Sequence, residues 1–294
     1  MTHRLYMVDV FAERRYAGNP LAVIVGEAYP PAEEMQRIAA EMDFSETTFV
    51  LAEPDEHGSF PMRIFTPSRE IEFTGHPLLG TAWIVRRHLA PMDTPVIRLG
   101  TPVGDVTVTF EPGAGAMELA WFTAPPITVG RTAEPDALAT ALGITTDDID
   151  PTSPPRVVGA GTSAVIVPLR SAAALRRSRL DLQKYSALAE QGFPPLTYLY
   201  TAETHSLDND VCVRFFFDAH GLREDPATGN GAAFLGAYLL ENDPDAAREV
   251  SLRIEQGHEV RRPSLIFLRA QRREGHPEIR VGGHVIPTAS GYLL

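Results

Sequence analysis

Residues 224–240 read EDPATGNGAAFLGAYLL, an acid, a proline and glycines directly before an apolar run with helical spacing. Proline suits the first turn of a helix, and a polar or charged residue just before it is ordinary helix-start chemistry. The stretch therefore predicts a buried helix over 228–241. Its first turn carries Gly229 and Gly231, and glycine lets another group approach the backbone closely.

A similar pattern occurs earlier in the chain, where residues 70–82 read EIEFTGHPLLGTA and predict a mostly apolar helix over 76–89. His76-Pro77 corresponds to Asp225-Pro226, a separation of 225 − 76 = 149 residues in a chain of 294. Similar strand patterns precede the two helices (MRIFTP, CVRFFFDA) and follow them (VIRLGT, SLRIEQ). The pattern indicates an internal duplication into two similar lobes, each with one buried helix wrapped in sheet.

The boundary between the lobes is predicted from proline. Proline-rich stretches occur at 123–128 and 149–156, and proline interrupts helices and central strands. We expect an N-terminal lobe over residues 1–120, with the C-terminal strand 279–294 as a candidate to complete it. The C-terminal lobe would then cover residues 121–278.

Helical periodicity predicts further helices over 31–42, 133–142 and 170–190. The segment GAGTSA at 159–164 imitates the glycine-rich loop of a dinucleotide site. That loop must lead into a helix, whereas VIVP follows here, and Pro168 would interrupt a helix. Nicotinamide binding is therefore not expected.

Composition limits the partners. The formal net charge of −12 argues against nucleic acid or an anionic membrane. No stretch approaches the about 18–20 apolar residues that a membrane helix needs. The one cysteine, Cys212, excludes an internal disulfide or a thiolate metal cluster and fits a reducing compartment. We expect a cytoplasmic protein that binds neither nucleic acid nor membrane.

Five blocks together resemble the phenazine-biosynthesis PhzF-like isomerase family, in the family's order, from about residue 4 to residue 290: VDVFAERRYAGNPLAVI, MDFSETTFV, RIFTPSREIEFTGHPLLGTA, EDPATGNGAAFLGAYLL and IEQGHEVRRPS. The resemblance implies an α+β, diaminopimelate-epimerase-like fold. Two pseudo-symmetric lobes would each be a mostly antiparallel sheet rolled around a central helix, with the site in the cleft between them. It also implies a homodimer.

The resemblance assigns site residues. Glu46, in the SET block, would be the catalytic acid/base. The substrate-binding residues would be Asn19, Gly75, His76, Asp225, Gly229, Asn230 and Gly231. The chain departs from the family at Asn230-Gly231, where Ser-Ala is frequent, and at Arg261-Arg262, where glycine is more frequent. These departures bear on the substrate more than on the type of reaction.

The residue types suit proton transfer at carbon. A carboxyl group such as Glu46 can take up and return a proton when burial raises its pKa. Histidine can donate and accept a hydrogen bond, and helix N-termini attract a substrate carboxylate. Structural roles are the alternatives: an exposed loop acid for Glu46, helix caps for His76 and Asp225, and a turn for Asn19.

The sequence therefore favours a cofactor-independent isomerase that moves a proton and a double bond in a small unsaturated carboxylate. One alternative is a non-thiol epimerase or racemase of an amino or hydroxy acid, which needs a second base such as His76 or Asp225. A two-cysteine racemase is excluded because Cys212 stands alone. Another alternative is a binding protein without chemistry. No metal is expected, because Glu46, His76 and Asp225 lack compact metal-ligand spacing.

Overall fold

The computed structural model describes residues 3–91, 94–113, 117–219, 222–243 and 249–294. The chain divides into two compact units, one formed by residues 1–123 and 282–294 and the other by residues 124–281. Each unit combines a sheet with one fourteen-residue helix of which ten residues are buried. A helix that is apolar on all sides is stable only when it is surrounded by other elements.

The elements in chain order are these. The strands are β1 (His3–Val10), β2 (Asn19–Gly26), β3 (Glu46–Leu51), β4 (Phe60–Phe65), β5 (Glu70–Ile71), β6 (Val96–Thr101), β7 (Gly104–Pro112), β8 (Glu118–Thr123), β9 (Thr128–Thr132), β10 (Arg156–Ala160), β11 (Thr162–Pro168), β12 (Thr197–Thr201), β13 (Val211–Ala219), β14 (Leu222–Asp225), β15 (Val250–Gln256), β16 (Ser264–Arg273), β17 (His276–Gly283) and β18 (Val285–Leu293). The helices are α1 (Ala32–Met42), α2 (Gly75–His88), α3 (Pro135–Leu142), α4 (Ala172–Arg177), α5 (Leu182–Glu190) and α6 (Gly229–Asn242), with a 3₁₀ turn at Thr146–Asp148. Within the described ranges, no helix has the length and apolar character required to cross a membrane.

In the first unit the sheet runs β18–β1–β2–β3–β4–β6–β7–β8. The β2–β3 and β4–β6 pairs are parallel and the others antiparallel. Helix α2 packs closely on this sheet, because a Cβ atom added at Gly80 would lie 2.5 Å from Leu21 Cδ2. This contact fixes the depth of α2 against the strands that carry the candidate site.

The second unit repeats this order of strand directions. Its sheet runs β9–β10–β11–β12–β13–β15–β16, with β11–β12 and β13–β15 parallel. A matching ion pair accompanies the repeat. Arg63 binds both carboxylate oxygens of Glu70 across β4 and β5, and Arg214 binds both oxygens of Glu224 across β13 and β14.

The predicted alignment of the repeat is wrong by five residues. The central helices begin at Gly75 and Gly229, a separation of 229 − 75 = 154 residues. His76 therefore corresponds to Asn230, whereas Asp225 is the last residue of β14 and precedes α6. The sequence comparison matched the two prolines, but Pro77 lies inside its helix and Pro226 lies before its own.

Two other segments differ from, or clarify, the sequence-based expectations. The predicted helix over 170–190 is two helices, α4 and α5. The break occurs because the Asp181 side chain accepts hydrogen bonds from the backbone N–H groups of Gln183 and Lys184 and starts α5 anew. The segment GAGTSA belongs to the β10–β11 hairpin, whose turn residue Gly161 has a φ of +75°. A strand follows this glycine, as expected.

Candidate active site

The centre of the candidate site in the first unit is the pair Glu46 and His76. Glu46 is the first residue of β3 and His76 the second residue of α2, so a strand start and a helix start present the two side chains. The Glu46 Oε2 atom lies 3.3 Å from His76 Nε2, and the side chains are 14% and 4% exposed. A carboxyl group and an imidazole are thus in contact and largely shielded from solvent.

Asn19 determines which nitrogen of His76 carries the proton. It is the first residue of β2, it is fully buried, and its Nδ2 atom lies 3.3 Å from His76 Nδ1. The amide nitrogen can only donate, so Nδ1 accepts. In neutral imidazole the proton then sits on Nε2, the nitrogen that lies 3.3 Å from Glu46 Oε2.

The imidazole of His76 is neutral near pH 7, because burial lowers its pKa to about 3. The 3.3 Å contact with Glu46 is therefore made by a neutral ring and is not an ion pair. A ring with so low a pKa leaves the Glu46 carboxyl group as the member of the pair suited to exchange a proton with a substrate.

The loop before β2 holds Asn19 in place. Gly18 has a φ of +67°, and a Cβ atom added there would lie 2.3 Å from the carbonyl oxygen of Val10. The buried Asp9 accepts a hydrogen bond of 2.6 Å from the backbone N–H of Tyr16. Sequence reasoning missed Asp9, although an acid within the apolar strand MVDV was a usable signal.

In the second unit, Asp225 is not the cap of α6, contrary to the helix-cap alternative. The N-cap is Thr228, and Asp225 Oδ2 accepts a 2.5 Å hydrogen bond from the hydroxyl group of Thr228. The buried Gln256 completes the network, because its amide accepts from Thr228 N–H and donates to the Asp225 carbonyl oxygen and to Thr228 Oγ1. Sequence reasoning did not single out Gln256.

The remaining predicted residues occupy the two helix starts. Gly75 begins α2, and Gly229, Asn230 and Gly231 form the first turn of α6. The structure thus brings Asn19, Gly75, Glu46 and His76 together in the first unit. Asp225 and the α6 glycines form a separate group in the second.

Both departures from the family pattern have structural counterparts. A Cβ atom added at Gly231 would lie 2.4 Å from Cε2 of Tyr198, so the tyrosine ring takes the place of a side chain at position 231. Arg261 has a φ of +60°, a left-handed conformation that costs little for glycine. A glycine at position 261 would adopt this conformation without strain.

A second polar cluster consists of His205, Glu255 and His258, whose ligand atoms lie within 4.8 Å of one another. Glu255 accepts hydrogen bonds from the backbone N–H groups of His205 and Ser206 and from the Asn209 amide. Burial would raise the pKa of Glu255, but these hydrogen bonds outweigh it and lower the pKa.

The imidazole rings of this cluster stack at 3.8 Å with 12° between their planes. Their lone pairs therefore run side by side rather than toward one point, which does not fit a metal ion. The cluster anchors the turn before β13. Among the described residues, no such group of three includes Glu46, His76 or Asp225.

Cys212 is buried in β13, and its Sγ atom lies 3.8 Å from His205 Nδ1. Burial, reinforced by the charge of Glu255, raises the pKa of the thiol to about 12. The thiol therefore stays protonated at neutral pH and lacks the thiolate character that a catalytic cysteine requires.

The family model for phenazine biosynthesis-like proteins matches residues 8–291. An uncharacterized isomerase of Mesorhizobium japonicum is 34% identical, over 100% of this chain and 99% of its own. The trans-2,3-dihydro-3-hydroxyanthranilate isomerase of Pseudomonas chlororaphis is 33% identical, over 99% of each chain.

Among solved structures, the PhzF-family phenazine biosynthesis protein of Bacillus anthracis matches with a TM-score of 0.90, over 100% of this chain and 99% of its own. At 24% identity this likeness shows the fold, and it confirms the predicted α+β, diaminopimelate-epimerase-like class. The family assignment rests on the Mesorhizobium japonicum and Pseudomonas chlororaphis proteins, because both are named isomerases and align with this chain from end to end. The chain therefore belongs to the phenazine biosynthesis-like family of isomerases.

Proposed function

We propose that the protein is a cofactor-independent isomerase in which Glu46 removes a proton from carbon and returns it at another carbon, moving a double bond. The observation that carries the proposal is the 3.3 Å contact between the Glu46 carboxyl group and His76, whose ring is neutral and held by Asn19. An oriented carboxyl group that gains and loses one proton is sufficient for such a shift.

The substrate we propose is a small unsaturated carboxylate related to trans-2,3-dihydro-3-hydroxyanthranilate, the compound in the names of several relatives. The first turns of α2 and α6 present backbone N–H groups without intrahelical partners, and these attract an anion. Asp225, held by Thr228, would bind an amino or hydroxyl group of the substrate.

The test is to incubate the protein with trans-2,3-dihydro-3-hydroxyanthranilate in deuterated water and follow the substrate by NMR. The wild type should shift the double bond, and each Glu46 proton that exchanges with solvent before its return leaves deuterium at the carbon that receives it. Glu46→Gln should lower kcat by at least about a hundredfold, because general acid–base catalysis contributes this much or more. The side chain keeps its size and loses the ionisable group.

The matched control is Glu56→Gln, which changes an acid whose side chain is 87% exposed and should leave the rate unchanged. Turnover by Glu46→Gln at the wild-type rate would refute the assignment of the base. If the wild type leaves this substrate unchanged, the same exchange assay on a panel of small unsaturated and amino carboxylates identifies the substrate class.

The epimerase alternative requires two bases on opposite faces of one carbon. His76 is poorly suited as the second base, because a pKa of about 3 makes its ring a weak proton acceptor. The same NMR experiment separates the two reactions. Epimerisation inverts a stereocentre without moving a double bond, whereas isomerisation moves the double bond.

We also propose that the enzyme is a cytoplasmic homodimer without nucleic-acid partners, as the family resemblance and the net charge of −12 suggest. Light scattering coupled to size-exclusion chromatography measures the assembly. A mass near the 32.1 kDa of one chain would contradict the dimer.

A further inference from the structure

Tyr198 lies in the same row of the second sheet as Asp225. In the antiparallel register, Tyr198 of β12 is opposite Phe215 of β13, and Phe215 is opposite Asp225 of β14. Directly opposed residues project their side chains to the same face of a sheet. The phenol and the carboxylate therefore share the face on which α6 begins.

The ring of Tyr198 lies against the first turn of α6. A Cβ atom added at Gly231 would be 2.4 Å from Cε2 and 2.5 Å from Cδ2 of this ring. The Cε2 atom is bonded to the carbon that carries the hydroxyl group, so the polar end of the ring is beside the turn. Only glycine at position 231 leaves this space open.

The hydroxyl group of Tyr198 has no hydrogen-bond partner within the described part of the chain, although the residue is fully buried. A buried hydroxyl group without a partner is costly, and such groups are rare unless a ligand or water completes them. The matching position of the first unit is Thr48. Its hydroxyl group is hydrogen-bonded to the hydroxyl group of Thr81 in α2, at 2.8 Å. The fold therefore does not require an unpaired group at this place.

The groups around this point favour an acceptor as the ligand. Burial raises the pKa of Tyr198, so its phenol is neutral and able to donate. The first-turn N–H groups of α6 also donate. One oxygen of Asp225 already accepts from Thr228. A carboxylate oxygen is the chemical group that accepts from several such donors at once.

We propose that Tyr198 is a specificity-determining residue whose phenol O–H donates a hydrogen bond to the substrate carboxylate held at the first turn of α6. This assignment rests on the proposed function in one respect, namely that the ligand is a small carboxylate. It adds a side-chain donor that recognises the carboxylate and a glycine that makes room for that donor.

The experiment compares anthranilate, which has a carboxylate, with aniline, which has the same ring and amine without it. Binding is followed by NMR titration of the wild type and of Tyr198→Phe. The variant should weaken anthranilate binding by at least about tenfold, equivalent to about 1.4 kcal/mol, and leave aniline binding unchanged. Its thermal midpoint without ligand should be equal or higher, because a buried unpaired group is removed.

The matched control is Tyr185→Phe, because the Tyr185 hydroxyl group donates to the carbonyl oxygen of Pro194 at 2.6 Å. This variant should lose stability and bind anthranilate like the wild type. Unchanged anthranilate binding by Tyr198→Phe would overturn the proposal. An equal loss for aniline, or no anthranilate binding by the wild type, would overturn it as well.

The outcome is separable from that of the proposed function. Turnover that depends on Glu46, combined with unchanged KM and anthranilate affinity in Tyr198→Phe, would refute only the role of Tyr198. Carboxylate binding that depends on Tyr198, without turnover of any tested substrate, would support the role of Tyr198 and refute the isomerase assignment.

Discussion

The chemistry of His76 is set by its neighbours rather than by its own type. An exposed histidine titrates near neutral pH, but burial lowers the pKa of His76 to about 3 and keeps its ring neutral. Asn19 then fixes the tautomer, because its amide nitrogen donates to Nδ1. The result is an Nε2–H group held 3.3 Å from Glu46 Oε2, which makes Asn19 a positioning residue for the candidate base.

Replacement of Asn19 tests this arrangement. In Asn19→Ala the Nδ1 atom loses its donor, so both tautomers become populated and one carries a lone pair on the Nε2 atom beside Glu46. We expect kcat to fall about tenfold or more while KM changes less, because a positioning residue acts on the base and general acid–base catalysis contributes at least this much. The ¹⁵N NMR shifts of the His76 ring should change from a single Nε2–H form to a mixture.

A purely structural role for Asn19 would lower stability without altering these ¹⁵N shifts. The half-buried Asn209 is unsuitable as the control because its side chain binds Glu255. The exposed Thr152→Ala is preferable, since Thr152 hydrogen-bonds to Asp150 within its own turn. It should leave both kcat and the His76 shifts unchanged.

At the scale of elements, glycine in α6 has opposite effects on helix propensity and on packing. An alanine in place of glycine inside a helix normally stabilises by about 0.8–1 kcal/mol. At position 231 the added Cβ atom would meet the Tyr198 ring at 2.4 Å, and overpacking costs about 1–3 kcal/mol. We expect the packing cost to exceed the propensity gain, so Gly231→Ala should lower the free energy of unfolding.

Denaturant unfolding measures this change, and Gly291→Ala is the control because no atom lies within 4 Å of the added Cβ. A second substitution, Tyr198→Leu, removes the ring edge and should restore part of the stability lost in Gly231→Ala. If Gly231→Ala is more stable than the wild type, the Tyr198 ring moves aside at no cost, and the expected packing cost is wrong.

The elements themselves were largely predictable, and the failures have identifiable causes. Both buried helices follow from apolar periodicity after a glycine or proline, and α2 and α6 begin within one residue of the predicted starts. The equivalence of His76 with Asp225 failed because it aligned residue types instead of helix starts. The break between α4 and α5 was missed because Asp181 was not recognised as a cap.

At the scale of the molecule, one topology carries different chemistry in its two copies. The row Thr48–Ile64–Ile71 of the first unit corresponds to Tyr198–Phe215–Asp225 of the second. The polar candidate residues found by motif were Glu46, His76 and Asp225. Tyr198 and Gln256 could not be found in this way, because their roles depend on strand register and on contacts between segments distant in sequence.

The pH dependence of stability follows from His76. Its pKa is about 3 in the folded chain and 6.5 when unperturbed. Below pH 6.5, His76 therefore binds a proton in the unfolded chain but not in the folded chain. The free energy of unfolding falls as the pH decreases toward about 3. In His76→Gln this contribution is absent, so its stability should decline less steeply over the same range.

Urea unfolding of both proteins between pH 7 and the acid limit of folding gives the two curves, and their difference isolates His76. The pKa values of His258 and Glu255 are also lowered, so these groups also decrease the free energy of unfolding as the pH falls. Both groups are present in the wild type and in His76→Gln, so their contributions cancel in the difference. His57→Gln, at a side chain that is 74% exposed, should give a curve parallel to the wild type. If His76→Gln is parallel as well, folding leaves the pKa of His76 at its ordinary value near 6.5. The ring beside Glu46 would then be an imidazolium below that pH, and the contact would be an ion pair there.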